Sequence, residues 1–212
     1  MSGNVAVVTV AAGDHPGLEL HHKALSICRR PPDQHVVVAV DAADLISWQP
    51  PRGVASRVVP LSPAPEGVPY AAAMNAGGGV ALAAGADVLV FLDLACVPGE
   101  ELVAAYERAA CQDPAHLWTG PASRLGPPPD AGYDLCRLDD HVEGAGEGTG
   151  EGDPRLWPRF SLALHRKAWA HLHGFDEDLI GHSPVPDLLH RAATADLYLR
   201  EVPEARSYLL PT

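Results

Sequence analysis

The stretch from Gly67 to Pro98, GVPYAAAMNAGGGVALAAGADVLVFLDLACVP, constrains this chain more than any other. Ala71 to Ala84 is a run of small, helix-tolerant residues, although Gly77, Gly78 and Gly79 each weaken a helix by roughly 1 kcal/mol relative to alanine. Gly85 is placed to cap its carboxyl end. Val88 to Leu92 is a continuous apolar run of strand length, which predicts a central strand covered on both faces. Asp93 follows at the carboxyl end of that strand, where open α/β sheets place their ligand chemistry.

The flanking segments fit the same architecture. Val5 to Val10 is a β-branched run of strand length, and Val36 to Val40 is a second that ends at Asp41. Between them Leu18 to Cys28 carries apolar residues at helical spacing, and Arg29-Arg30-Pro31-Pro32 stops it. Strand, helix and strand at this length form a βαβ unit with a right-handed crossover. Arg57 to Leu61 is a shorter strand whose Pro60 suits a sheet edge. Downstream, helices are expected over Glu100–Cys111, Arg166–Leu172 and Pro186–Ala195, and strands over Leu117–Thr119, Arg159–Leu164 and Tyr198–Val202. The compositional break is Gly126 to Pro154, with three prolines at 127–129 and a Gly/Glu run from Glu143 to Gly152. Too little apolar surface is available there to offset ordering entropy, so Glu143 to Asp153 is expected to be mobile. The whole reads as one α/β domain over residues 1–212 with a mostly parallel central sheet flanked by helices. Residues 1–98 form its first half, and 99–212 its second, with a flexible loop about 126–154.

Composition narrows the function classes. A formal net charge of −12 argues against a nucleic-acid partner or an anionic membrane surface. No apolar stretch reaches membrane-spanning length, and no basic-then-apolar leader precedes the first strand, so a cytoplasmic protein is expected. Cys28, Cys96, Cys111 and Cys136 lack the spacing of a zinc site or a disulfide framework and read as small hydrophobes. Eleven histidines are many for this length, but none shows metal-ligand spacing. Most of them, among His15, His21, His22, His165, His171 and His173, are expected at the surface.

Two motifs carry a resemblance. Asn75-Ala-Gly, then Ala81 to Gly85, then Val90-Phe-Leu-Asp-Leu-Ala-Cys-Val-Pro98 resemble the A-R-N-x-G, A-x-G and F-L-D-x-D-x-x-P pattern of family 2 glycosyltransferases of the GT-A fold. Trp169, Gly174-Phe-Asp-Glu177, Gly181 and Asp187-Leu-Leu-His-Arg191 are similar to the downstream G-G-F-D-E and G-x-x-E-D-x-D-x-x-x-R segment. The resemblance implies a nucleotide-diphosphate-sugar donor, an acceptor of unknown identity, and Mn2+ or Mg2+ held at Asp93.

It also implies roles for particular residues. Ala11 and Gly13 would form the loop against which the nucleotide lies, and Asp41 would hydrogen-bond the base. Asn75 and Asp93 would line the donor site, and Phe175, Asp176 and Glu177 the acceptor side. Read from the residues alone, Asp93 caps a turn as readily as it binds metal, Asp41 forms a turn as readily, and Asn75 is equally a buried structural residue. Taken alone, Gly13 and Gly17 do not make the G-x-G-x-x-G dinucleotide fingerprint.

The chain departs from the family where chemistry would be done. Ala95 stands in place of the second metal-motif aspartate, so metal binding is expected to be weak or absent. Met74 replaces an arginine, Pro184 and Val185 fall where the family has Glu-Asp, and no histidine follows His190. With Val185 unable to serve as base, His182 and Asp187 are the nearby candidates for that role. Two functions follow: a glycosyltransferase with incomplete metal and base motifs, or a catalytically degenerate relative that binds nucleotide-sugars or another protein.

Overall fold

The computed structural model describes residues 3–143, 161–179 and 183–211. Ten strands and five helices are assigned among them: β1 Val5–Ala12, α1 Leu18–Ile27, β2 Gln34–Val40, β3 Ser56–Leu61, α2 Tyr70–Ala83, β4 Val88–Leu92, β5 Cys96–Pro98, α3 Leu102–Gln112, β6 Leu117–Thr119, β7 Ala122–Arg124, β8 Ser161–His165, α4 Arg166–Leu172, α5 Val185–Thr194, β9 Leu199–Glu201 and β10 Ser207–Leu209. The main sheet has the order β3-β2-β1-β4-β8-β6-β9. The first four of these strands run parallel. β8 is antiparallel to both β4 and β6, and β9 pairs parallel to β6 at the edge. A small second sheet joins β5, β10 and β7.

Strand alternation divides the core between two faces. Val8, Val36, Val38, Val40, Leu89 and Phe91 point to the side covered by α2, α4 and α5. Val5, Val7, Val88, Val90 and Leu92 point to the opposite side, where α3 supplies Leu102, Val103 and Tyr106. β4 is buried along its whole length, as its unbroken apolar run requires.

The glycines that weaken α2 permit its close packing. A methyl at Gly77 would overlap Val8 and stand 2.9 Å from Val38, so glycine lets α2 sit directly on β1 and β2. Gly78 faces the Trp169 ring in the same way, at 3.1 Å, whereas Gly79 faces open space. The helix ends in a Schellman motif: Gly85 takes φ +94°, its N–H donates to Leu82 O, and the Ala86 N–H donates to Ala81 O.

The second half departs in places from its sequence reading. α3 begins at Leu102, leaving Glu101 at the cap, and the short strands β5, β7 and β10 had no readable signal. Residues 126–143, part of the stretch expected to be a flexible loop, are mostly exposed and are anchored at a few points. Leu138 is buried beside Tyr208 and Leu125, the Gly126 N–H donates to His141 O, and Tyr208 Oη donates to Asp139 at 2.8 Å. The Gly/Glu run beyond Glu143 lies outside the described residues, as do Arg159 and Phe160.

Candidate active site

The strand order reverses at β1, which lies between β2 and β4. The crevice outside the carboxyl ends of such strands is where open α/β sheets bind ligands. Three sequence-predicted elements lie there: the end of β1 with Gly13 beyond it, Asp41 after β2 and Asp93 after β4. Ala11 is fully buried against Leu18, Val37 and Leu45, so what it can offer a ligand is backbone. Gly13 is exposed at φ +62°, and an added methyl there would meet nothing within 4 Å. Asp41 is exposed and left-handed at φ +53°, a conformation that short polar side chains tolerate at a turn.

Asp93 is half-buried and closes the turn that follows it: one carboxylate oxygen accepts the Ala95 N–H at 2.8 Å, and its carbonyl accepts from Cys96. Tyr70, at the start of α2, belongs to the same neighbourhood. Burial and then the charge of Asp93 push its phenol up from the ordinary range, which keeps it a neutral hydrogen-bonding group. An aromatic residue opening a small-residue helix was its one signal in the sequence. The partly exposed His15 ring bridges Gly13 O at 2.9 Å and Asp44 at 3.0 Å, tying the turn after β1 to the segment after β2.

Several of the remaining motif residues make contacts within the protein. Asn75 donates to Phe175 O at 2.9 Å and to Glu177 at 2.8 Å, and accepts the Phe175 N–H at 2.8 Å. Phe175 is 3% exposed and packs edge-on against Phe91 and Trp169, so its ring belongs to the core. Asp176 is exposed and caps the Asp178 N–H. Asp187 pairs with Arg191 at 2.7 Å, whose guanidinium also donates to Leu172 O and Gly174 O. Val185 is fully buried in the core, and His182 lies outside the described residues.

For a metal, the donor set is short. Asp93 stands beside Ala95, and among the described residues no group of three or more His, Cys, Asp or Glu could hold an ion. These residues do not build a metal site of their own.

The architecture matches solved glycosyltransferases. A mannosyltransferase from Pyrobaculum calidifontis, solved with GDP-Man and Mn2+, superposes at a TM-score of 0.59 with 17% identity over 98% of this chain. GalNAc-T7, solved with UDP, GalNAc and Mn2+, superposes at 0.60 with 14% identity over 99% of it. The chain has the GT-A fold. It spans 57% and 44% of the length of those two chains. No protein-family model and no curated protein sequence matches it. Among the described residues, no helix of this GT-A fold is long and apolar enough to cross a membrane.

Proposed function

We propose that this chain binds a nucleotide-diphosphate sugar at the carboxyl ends of β1, β2 and β4 and transfers its sugar to an acceptor. The observation that carries the reading is the placement of Asp41 and Asp93 on strands flanking β1, with the exposed Gly13 turn between them. In this reading Asp41 accepts a hydrogen bond from the base, and the Gly13 backbone approaches the nucleotide. Tyr70 donates its neutral phenol to an anionic oxygen of the donor. The exposed Asp176 meets the acceptor.

A second reading, a relative that binds the donor without transferring, is favoured by one observation. Asp187, a base candidate, is engaged by Arg191, while Val185 is turned into the core. A proton acceptor for the acceptor hydroxyl then falls to His182.

Thermal shift against a panel of nucleoside diphosphates, with and without Mn2+, tests the binding step. A ligand at ~100 times its dissociation constant stabilises the fold by about 2.7 kcal/mol. Asp93→Asn keeps an oxygen for the Ala95 N–H while removing the charge, and loss of any Mn2+-dependent shift in that variant is expected. No shift with any nucleotide would reject the reading. Binding without sugar release, unchanged by His182→Ala, would select the non-transferring alternative.

A further inference from the structure

Among the described residues, three histidines are completely buried, and they lie together. His21 and His22 come from α1 and His35 from β2, on the sheet face that also carries Thr9 of β1. Their contacts form one chain. His21 Nδ1 meets Cys96 O at 2.7 Å, and its Nε2 meets Thr9 Oγ1 at 3.1 Å. Thr9 Oγ1 meets His35 Nε2 at 3.2 Å, and His35 Nδ1 meets His22 Nδ1 at 3.1 Å. His22 Nε2 ends the chain at Pro51 O, 2.9 Å away.

The protons in this chain can be counted. Both ends are carbonyls, which only accept, so His21 Nδ1 and His22 Nε2 must each carry a hydrogen. Neutral His21 then accepts at Nε2 from the Thr9 hydroxyl, and Thr9 accepts from His35 Nε2–H. Neutral His35 and neutral His22 are left with bare Nδ1 lone pairs facing each other at 3.1 Å. Three neutral imidazoles and one hydroxyl bring four protons to a chain of five links. The Ser56 hydroxyl, 3.3 Å from His22 Nδ1, is the same distance from Val54 O, and its proton would not lie between the two rings.

We propose that this chain is a buried binding site for a single proton, carried by His22 and donated from its Nδ1 to His35. His22 is the member best placed to hold the charge. Trp48 lies edge-to-face with it at 5.4 Å, and its partner Pro51 is exposed, which gives protons a route in. His21 and His35 stay neutral. Burial, with the neighbouring histidines, holds His35 well below its ordinary value, and burial takes His21 to about 4.

The surroundings supply no competing charge to those two rings. Glu19 and Lys23 of α1, Arg57 of β3 and Arg52 beside Pro51 are exposed, and Asp44 is exposed and paired with His15. Thr9 faces the chain from β1, Ser56 from β3 and the Cys96 carbonyl from β5.

Loading this site has a mechanical consequence. Without the proton, two lone pairs push α1 away from β2; with it, the chain closes. The same helix holds Cys96 through His21, three residues beyond Asp93, so the proton adjusts the turn that Asp93 caps. This inference stands apart from the identity of the ligand bound there.

The test is a long-range nitrogen–proton NMR titration of the labelled full chain from about pH 8.5 to about 5.5, bracketing the ordinary histidine value. His22 should gain a second N–H while His21 keeps its Nδ1–H form and His35 its Nε2–H form. The backbone amides of Ala95 and Cys96 should shift with the same midpoint. His22→Gln, whose amide can donate to both Pro51 O and His35 Nδ1, should abolish that midpoint. A His22 that keeps a single N–H throughout, or a proton that appears on His21 or His35 instead, would overturn the proposal. Amides of Ala95 and Cys96 that ignore the His22 midpoint would overturn its link to the Asp93 turn. The wild-type spectra decide these points even if the variant fails to fold.

Discussion

Asn75 and Phe175 grip each other twice, the Asn75 side chain donating to the Phe175 carbonyl at 2.9 Å and accepting its N–H at 2.8 Å. Gly174 stands so close that a methyl there would lie 2.6 Å from Asn75 Oδ1. The Asn and the Gly-Phe motif, a hundred residues apart, are therefore two halves of one clamp between α2 and the loop after α4.

Replacing Asn75 with alanine leaves the Phe175 backbone groups unpaired in a partly buried site. The expected loss is about 1–3 kcal/mol, read by urea denaturation. It should accompany a fall in Tm of roughly 2–4 °C for each kcal/mol at this chain length. An unchanged Tm with lost nucleotide binding would place Asn75 against ligand instead.

Neighbouring glycines in α2 should respond in opposite directions. Gly77→Ala drives a methyl into Val8 and Val38 and is expected to cost about 1–3 kcal/mol. Gly79→Ala meets open space and should stabilise by roughly 0.5–1 kcal/mol. Paired thermal melts measure both.

Acid should weaken the fold through His21. Its folded value is about 4, against 6.5 when unfolded, so below pH 6.5 the unfolded chain binds a proton that the native chain refuses. The contribution is complete above pH 6.5 and is lost as pH falls towards about 4, on the order of 3 kcal/mol in all. Denaturant melts across this window should show the loss, with a shallower slope in His21→Gln.

The two departures at the site should answer repair differently. Ala95→Asp adds a second carboxylate beside Asp93 and should strengthen Mn2+ binding measured by calorimetry. Val185→Asp does not restore a base, because residue 185 points into the core. It buries an unpaired charge at a cost of roughly 3–5 kcal/mol, which circular-dichroism melts would reveal. A stable Val185→Asp chain with sugar-transfer activity would show that this side chain can reach the cleft.

Local chemistry made much of this protein legible. The Val88–Leu92 run read as a doubly covered strand, Gly85 as the end of the helix before it, and the β-branched runs before Asp41 and within Val5–Val10 as strands of the same sheet. Those are properties of neighbouring residues, and they determined the parallel half and the cleft end at which Asp41 and Asp93 stand. The histidines show the limit of that reading. Thr9 and His35 interrupt apolar strands at positions facing α1, but a single polar residue in a strand says nothing of what lies opposite it. Only the packing of α1 on β1 and β2 brought His21 and His22 into register with them and buried all three rings. The same holds for Asp187 and Val185: spacing aligned them with a catalytic motif, and the helix rotation that buries Val185 and pairs Asp187 with Arg191 was decided by the tertiary core.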